Sequence, residues 1–213
     1  MSVVSNPGGR SIKFLQYGID AGKCGFVIAN KGHESDELFH ELIEHRAGTG
    51  KSPSYEDLMY ANLDTSRSIH SRMARYDRNM KYMTESLSNK IKNYATVISP
   101  WLSEHPSCQI SKVIYGHGGR VAYLRLHNPP DPVGTATLEL YRIIGVRANE
   151  RQIPLIAASN FGFSMPHYHI VRHEKFGLSL RISSGSIDSK NLERVINFLA
   201  EEITQFQLRR HHA

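Results

Sequence analysis

The chain has 213 residues, of which 40% are hydrophobic and 22% are charged, and its formal net charge is +6 at pH 7. These values are typical of a soluble globular protein that buries a core in one or two domains. They exclude a bundle of membrane helices, because no apolar run approaches the length of a bilayer span.

The number of cysteines and the distribution of charge indicate the cellular compartment and the kind of partner to expect. Cys24 and Cys108 are too few for a disulfide framework, and the first ten residues hold no apolar signal core, so we expect reduced thiols in a cytoplasmic protein without a membrane partner. The positive charge would suit nucleic acid or an anionic small molecule. Basic residues are dispersed, however, apart from residues 209–212, so we predict a solvated basic surface rather than a nucleic-acid interface.

The N-terminal stretch combines a predicted loop, a lysine and a predicted strand. Pro7, Gly8 and Gly9 indicate a loop or frayed end over residues 1–10, whereas the apolar run Cys24–Ala29 indicates a buried strand. Lys13 precedes that strand. A lysine that lies against apolar side chains loses hydration, so its pKa falls. Its neutral amine can then form a Schiff base with an aldehyde. A surface lysine on a loop is the alternative interpretation of this window.

Two features follow between the strand and the middle of the chain. Ser35 can cap a helix whose predicted buried stripe is formed by Leu38, Phe39, Leu42 and Ile43. The run Gly48–Ser52 superficially matches a phosphate-binding loop. His45 stands where that motif needs its first glycine, so we predict a loop between two helices instead.

The clearest periodic signal lies between residues 69 and 91. Apolar residues recur there every three or four positions, which predicts one amphipathic helix of about 23 residues. The residues that define this period are Ile69, Met73, Tyr76, Met80, Met83, Leu87 and Ile91.

Beyond a connection marked by Pro100, the pattern predicts further alternation of strands and helices. Cys108–Tyr115 and Arg120–Leu126 alternate as strands do, and the glycine-rich residues 116–119 predict a hairpin between them. Thr135–Val146 is typical of a helix, and Ile153–Ala158 is typical of a strand.

A histidine cluster raises the question of a metal site. His167 and His169 would share one face of a strand, and His173 follows closely, so the three could approach a common ion. No cysteine accompanies them locally, and the one acidic neighbour is Glu174. We therefore predict that no metal binds there.

The last predicted strand places an arginine among packed leucines. Leu178, Leu180 and Ile182 should point to one face, while Arg181 points to the other between Ser179 and Ser183. A guanidinium held in this way suits bidentate capture of a carboxylate, although a plain surface arginine is the alternative. Asp188 or Ser189 then caps a C-terminal helix. Its predicted buried side consists of Leu192, Val195, Ile196, Leu199, Ile203 and Phe206.

Several of these segments resemble the Cys/Met-metabolism family of pyridoxal-phosphate (PLP) enzymes, which includes cystathionine synthases and lyases, methionine γ-lyase and O-acylhomoserine sulfhydrylases. Ser11–Phe14 resembles the family's S-x-T-K-Y around its Schiff-base lysine, and Phe176–Gly185 resembles its G-L-x-R-L-S-V-G. Arg72, Met73 and Asn79 match T-L-x-x-R-M-x-x-H-x-x-N-A, with Tyr76 in place of the histidine. The matches follow the family's order along nearly the whole chain, and this order makes the resemblance specific.

The resemblance implies an α/β fold. Residues 1–90 would be the end of the large domain of a fold type I PLP enzyme, including the long linking helix. Residues 91–213 would be the small C-terminal α/β domain, with an antiparallel sheet covered by helices.

The resemblance also implies roles for individual residues. Lys13 would be the catalytic lysine and would bind PLP with Ser11 beside it. Arg181 would anchor the substrate α-carboxylate, with Ser159 and Asn160 nearby in the family's S-L-G-G-x-E-S position. Asn160 departs from that motif, so the substrate preference cannot be carried over.

The implied function is one half of a PLP-dependent lyase or transferase of transsulfuration, acting on a sulfur-containing or related amino acid. The family's groups for the PLP phosphate, ring stacking and ring nitrogen would lie ahead of Lys13. We therefore expect a fragment, a split-enzyme subunit or a degenerate homologue, which needs a complementary N-terminal half or a homo-oligomer partner. A non-catalytic scaffold of the same fold is the second hypothesis, and a basic nucleic-acid-binding protein is the third.

Overall fold

The computed structural model describes residues 8–11, 25–28, 40–41, 43–45, 48, 66–116, 118–127, 134–158, 165–173 and 177–211. The chain divides into two compact units, residues 1–69 and 70–213. No helix in the described part of the chain is long and apolar enough to cross a membrane.

The first unit contains a two-stranded antiparallel sheet. Strand β1, Gly8–Ser11, pairs with strand β2, Gly25–Ile28, so that Ser11 lies opposite Gly25. The strand predicted at Cys24–Ala29 is therefore confirmed. The loop predicted over residues 1–10 is wrong at its C-terminal end, because pairing with β2 holds the glycines of β1 in a strand that their own propensity does not signal.

Few other residues of the first unit are described, so few of its predictions can be compared with the structure. Residues 40–41 and 43–45 are helical, which agrees with a helix after Ser35. Gly48 is helical too, so the loop predicted over Gly48–Ser52 is wrong at its first residue. Ile43 is 43% exposed, so its assignment to a buried stripe is wrong. The other three residues of that stripe lie outside the described residues.

Helix α1, Ser66–Ile91, has 26 residues and confirms the long predicted helix. Five of the seven residues that define the predicted period are completely buried; they are Tyr76, Met80, Met83, Leu87 and Ile91. Asn79 connects the helix to the end of the sheet. Its side-chain amide donates hydrogen bonds to the carbonyl oxygens of Gly185 and Ile187 at 3.1 and 2.9 Å.

A five-stranded sheet forms the centre of the second unit. Its strands are β3 (Ala95–Ile98), β4 (Ala122–Leu126), β5 (Ile156–Ala157), β6 (His167–His173) and β7 (Gly177–Ser183). Their order in the sheet is β3-β4-β7-β6-β5, and every pair is antiparallel except β5 with β6. β7 is therefore the central strand, and β5 is shorter than the predicted Ile153–Ala158.

Helices cover one face of this sheet, as predicted. Besides α1 they are α3 (Thr135–Glu150) and α4 (Ser189–His211). The short helix α2 (Cys108–Tyr115) contributes no described residue to the core cluster. α3 contacts β6, β7 and α4, and the predicted apolar side of α4 is buried throughout. Asp188 caps α4, since its carboxylate accepts a hydrogen bond from the backbone N–H of Asn191 at 2.9 Å.

The segment Cys108–Tyr115 is a helix, so its prediction as a strand is wrong. Both edges of β4 are occupied, by β3 and β7, so a hairpin partner for β4 has no place in the sheet. β-propensity acts only where a cross-strand neighbour exists. The helix buries Cys108 and ends at Gly116, whose φ of 68° is left-handed. The hairpin at residues 116–119 is accordingly also wrong, because these residues connect a helix to a strand.

Candidate functional site

The two faces of the central strands carry different chemistry. Leu180 and Ile182 on β7 are each 1% exposed and pack in the core under the helices. Arg181 lies between them in sequence and so points to the opposite face, as the alternation predicts. We call this opposite face of β4, β6 and β7 the arginine face; it also carries Tyr123, His169, Ser179 and Ser183.

Strand register places Arg181 in the middle of a row of side chains. Tyr123 on β4 lies directly opposite Arg181, and His169 on β6 lies directly opposite it on the other side. Directly opposite residues in an antiparallel pair have Cβ atoms about 4.5–5.5 Å apart. Tyr123 and His169 therefore lie on either side of Arg181, which is half-buried.

A buried tyrosine from α1 reaches the end of the same face. The Tyr76 hydroxyl donates a hydrogen bond to the carbonyl oxygen of Arg120 at 2.9 Å. Burial raises the pKa of Tyr76 far above its usual value, although Ser183 and the charges of Arg120 and Arg181 act in the opposite direction. The phenol therefore stays protonated at neutral pH. Arg120 also forms an ion pair with Asp77, with 3.6 Å between Nε and Oδ1.

His167 lies next to this cluster, opposite Ser183. Its Nδ1 donates to the carbonyl oxygen of Met165 at 2.7 Å. Burial lowers the pKa of His167; the Met165 hydrogen bond raises it, and the charge of Arg181 lowers it further. His167 is therefore neutral at pH 7, and it adds no second cation beside Arg181.

A cavity of about 430 Å³ opens on the arginine face at Tyr123 and Ser179. Tyr123 and Ser179 form part of its lining, together with Val171, which lies opposite Ser179 on β6. Its remaining lining comes from β3 and from the turns on either side of α2, namely Ile98, Pro100, His105, Gly118, Gly119 and Val121.

The wall of this cavity is fixed by a tryptophan and two glycines. The Trp101 indole N–H donates to the Gly119 carbonyl oxygen at 2.8 Å. A Cβ on Gly118 would lie 2.6 Å from the indole ring, so only glycine fits against it. Gly119 has a φ of 86°, which also favours glycine.

The described residues contain no group of three histidine, cysteine, aspartate or glutamate side chains that could hold a metal ion. His167 and His169 share a face of β6, as expected for i and i+2 on a strand. The His173 side chain is not among those described, so the absence of metal stays a prediction, which metal analysis of untagged protein would check.

Of the predicted site residues, the structure describes Arg181 fully and the backbone of Ser11. Lys13, Ser159 and Asn160 lie outside the described residues. Sequence reasoning missed Tyr123 and the cavity, and it considered His169 only as a possible metal ligand. The alternation of β4 could have assigned Tyr123 to a polar face, but only the strand order brings that face beside Arg181.

Comparison with known proteins gives matches in structure alone. No family model matches the chain, and no curated protein matches it. The crystal structure of metB from Corynebacterium glutamicum is 18% identical with a TM-score of 0.69; the match covers 94% of this chain and 50% of that one. Apo CalE6, a methionine gamma lyase from Micromonospora echinospora, is 14% identical with a TM-score of 0.65, covering 94% and 51%.

A third similar structure is cystathionine gamma synthase from Xanthomonas oryzae pv. oryzae in complex with cystathionine. It is 15% identical with a TM-score of 0.67, and the match covers 95% of this chain and 51% of that one. The chain thus spans about half the length of the structures that it resembles. The predicted fold class is confirmed: the fold is α/β and matches the C-terminal part of fold type I PLP enzymes.

Proposed function

We propose that this chain is the lysine-bearing, carboxylate-binding half of a PLP-dependent lyase or transferase that acts on a sulfur-containing or related amino acid. The observation that carries the proposal is the position of Arg181. It lies in the middle of the central strand, between Tyr123 and His169, in a chain with the fold of the C-terminal part of such enzymes.

The surroundings of Arg181 suit an anion. The backbone of β7 is paired on both sides, and the buried neighbours Leu180 and Ile182 fix the direction in which the guanidinium leaves the strand. Tyr76 stays protonated and His167 stays neutral, so neither contributes a negative charge. A rigid guanidinium fork matches the geometry of a carboxylate and can donate two parallel hydrogen bonds to it.

The proposed binding of PLP depends on Lys13 and Ser11. The pairing of Ser11 with Gly25 orders the backbone two residues ahead of Lys13, which suits a lysine that must be held in place. PLP supplies an electron sink for a carbanion when it is bound. Lys13 would hold its aldehyde, and the freed amine would then move the proton of the substrate Cα. Ser159 and Asn160 would contact the substrate beside Arg181.

The extent of the structural match supports a role as one half of an enzyme. Because the chain spans about half of the similar structures, we propose that a complementary half or a second copy supplies the phosphate site and the partner of the ring nitrogen. Residues 1–90 would then be the end of the large domain, and residues 91–213 the small domain.

Lys13 is tested by trapping. The chain, assembled with its complementary half, is incubated with PLP and reduced with borohydride, and the labelled lysines are mapped by mass spectrometry. Labelling should concentrate on Lys13, and Lys13→Arg should remove it while Lys92→Arg, at an exposed lysine, leaves it unchanged. Even labelling over all lysines would show that Lys13 is not the cofactor lysine. When the complementary half is added, an absorbance band should appear that Lys13→Ala abolishes.

Arg181 is tested in the same assembled protein. Arg181→Ala should leave the cofactor band intact but weaken amino-acid binding by about 2–5 kcal/mol, as expected for loss of one partner of a charge pair. Arg172→Ala is the matched control, because Arg172 lies on the neighbouring strand and is exposed. Equal losses in the two variants would contradict the carboxylate role.

A further inference from the structure

The five-stranded sheet has an open edge along β3. β3 pairs with β4 on one side, and within the described part of the chain no strand pairs with its other side. The His127 N–H donates to the Tyr94 carbonyl oxygen at 2.8 Å, so these two residues form a hydrogen-bonded pair just outside the strand ends. Such pairs alternate along an antiparallel ladder with pairs whose backbone groups point away from each other. Ala95 and Val97 therefore direct their N–H and C=O groups to the open side of β3.

A groove of about 360 Å³ runs along this open side, and we call it the β3 groove. All four residues of β3 line it, so the backbone edge follows the groove over the whole length of the strand. Its walls come from the end of α1, from the turn after β3 and from the end of β4. The wall residues are Ser88, Lys92, Ser99, Leu102, Glu104, His105, Pro106 and His127.

The shape of the groove favours a single extended chain over a second copy of the protein. A second copy would bring its own groove walls against these walls before the two strand edges could meet. The four residues of β3 span about 13 Å. A strand edge of this length is small beside the roughly 800 Å² that each partner buries in a stable dimer.

The chemistry of β3 suits the addition of a strand. Ala95–Ile98 contains no charged residue and no proline, the residues that commonly protect edge strands from new partners. A residue placed opposite Ala95 or Val97 can exchange two backbone hydrogen bonds with it. Hydrocarbon from Leu102 and Pro106 lies beside this edge, so apolar side chains are favoured in the added strand.

Two charged residues define the direction of the added strand. Lys92 lies before the N-terminal end of β3, and Glu104 lies in the turn after its C-terminal end; both are exposed and line the groove. A chain antiparallel to β3 has its own C-terminal end beside Lys92 and its N-terminal end beside Glu104. Attraction between opposite charges therefore favours a peptide that begins with a basic residue and ends with an acidic one.

We propose that the β3 groove binds an extended peptide segment of a partner protein, which joins the sheet as a sixth strand antiparallel to β3. The segment has about five residues, the number that covers β3 at 3.3 Å per residue. It is apolar at the two positions opposite Val97 and Ala95, basic at its N-terminal end and acidic at its C-terminal end. The inference goes beyond the proposed function, because it involves neither PLP nor Arg181.

The experiment titrates the full chain by NMR with the peptide Lys-Val-Thr-Val-Glu, whose ends are acetylated and amidated. The backbone amide signals of Ala95 and Val97 should shift, and their hydrogen exchange should slow, because both N–H groups gain partners. Thr96 and Ile98 already pair with β4, so their amide exchange should change less. A peptide that leaves the Ala95 and Val97 amides unaffected would overturn the inference.

N-methylated peptides test the added strand itself. Methylation of either valine nitrogen removes an N–H that faces β3 and should weaken binding by about tenfold, as expected for loss of a hydrogen bond. Methylation of the threonine nitrogen is the matched control, because that N–H points away from β3. Equal losses at all three positions would contradict pairing with β3.

Exchanged charges test the direction. The peptide Glu-Val-Thr-Val-Lys should bind about fivefold more weakly, as expected for two exposed charge pairs. Lys92→Glu combined with Glu104→Lys should reverse this preference, whereas Lys90→Glu, at an exposed lysine outside the groove, should retain it. A preference that the double variant does not reverse would contradict the antiparallel direction.

Hydrogen exchange of the chain without peptide distinguishes other occupants of the groove. Fast exchange of the Ala95 and Val97 amides at every protein concentration is expected for an open edge. Protection that rises with concentration would assign the edge to a second copy, and protection at every concentration would assign it to a segment of the same chain. Either result would overturn the inference. None of these measurements uses PLP or an amino acid, so failure of the proposed function would leave their outcome unchanged.

Discussion

The two faces of the central sheet differ in burial and in chemistry. Leu180 and Arg181 are adjacent on β7, yet one is 1% exposed in the core and the other points to the arginine face. The first face offers mainly hydrocarbon to the helices, whereas the second offers a guanidinium, an imidazole and hydroxyl groups. A single strand therefore carries both kinds of side chain, because its side chains alternate between two environments.

The largest difference in stability is expected between substitutions of Leu180 and of Arg181. Leu180→Ala removes a fully buried side chain from the core and should lower the free energy of unfolding by about 2–5 kcal/mol. Arg181→Ala should cost less stability and act mainly on carboxylate binding. Urea unfolding of both variants measures the contrast, with Leu208→Ala, at a 43% exposed leucine, as control. Similar losses at positions 180 and 181 would mean that the arginine face also holds the fold together.

The helices of the covered face are joined by an ion pair that sharpens the comparison. Glu202 on α4 is completely buried and accepts a hydrogen bond from Arg147 on α3 at 2.9 Å. Glu202→Gln should destabilise the chain by about 2 kcal/mol, since it weakens a charged hydrogen bond out of water. Glu201→Gln is the control, because Glu201 pairs with Arg151 at 2.8 Å with both side chains 43% exposed. It should cost less than about 1 kcal/mol.

A smaller effect is expected where α1 meets the arginine face. Tyr76→Phe removes the hydrogen bond to the Arg120 carbonyl and should cost about 1 kcal/mol in urea unfolding. Tyr82→Phe, at a tyrosine of the same helix that is 48% exposed, should leave stability unchanged. A neutral result at Tyr76 would indicate that water replaces its hydroxyl.

The smallest effect is a pH dependence from the arginine face. Burial lowers the pKa of His167 below the ordinary value of 6.5, so the unfolded chain binds this proton more readily than the folded chain. Its contribution to stability is therefore complete above pH 6.5 and is lost as the pH falls from there through the folded pKa. His167→Gln should reduce the stability difference between pH 7.5 and pH 5.5 in urea unfolding. His40→Gln, at an exposed histidine, is the control; an unchanged difference in His167→Gln would contradict the assignment.

The elements that depend on their own periodicity could be predicted from sequence. α1 and α4 have apolar residues every three or four positions, and β7 alternates, so each pattern specifies both the element and its buried side. The direction of Arg181, away from the core, follows from the alternation of β7 alone. These signals are local, because the backbone period determines which side chains share a face.

Tertiary structure decided what depends on partners. Gly8–Ser11 became a strand because β2 pairs with it, and Cys108–Tyr115 became a helix because both edges of β4 were occupied. The row of Tyr123, Arg181 and His169 exists only through the order β4-β7-β6, in which β4 and β7 are far apart in sequence. The cavity likewise combines β3, β4, β6 and β7 with the turns around α2. Contacts between distant segments leave no period in the sequence, so the residues beside Arg181 could be found only in the folded chain.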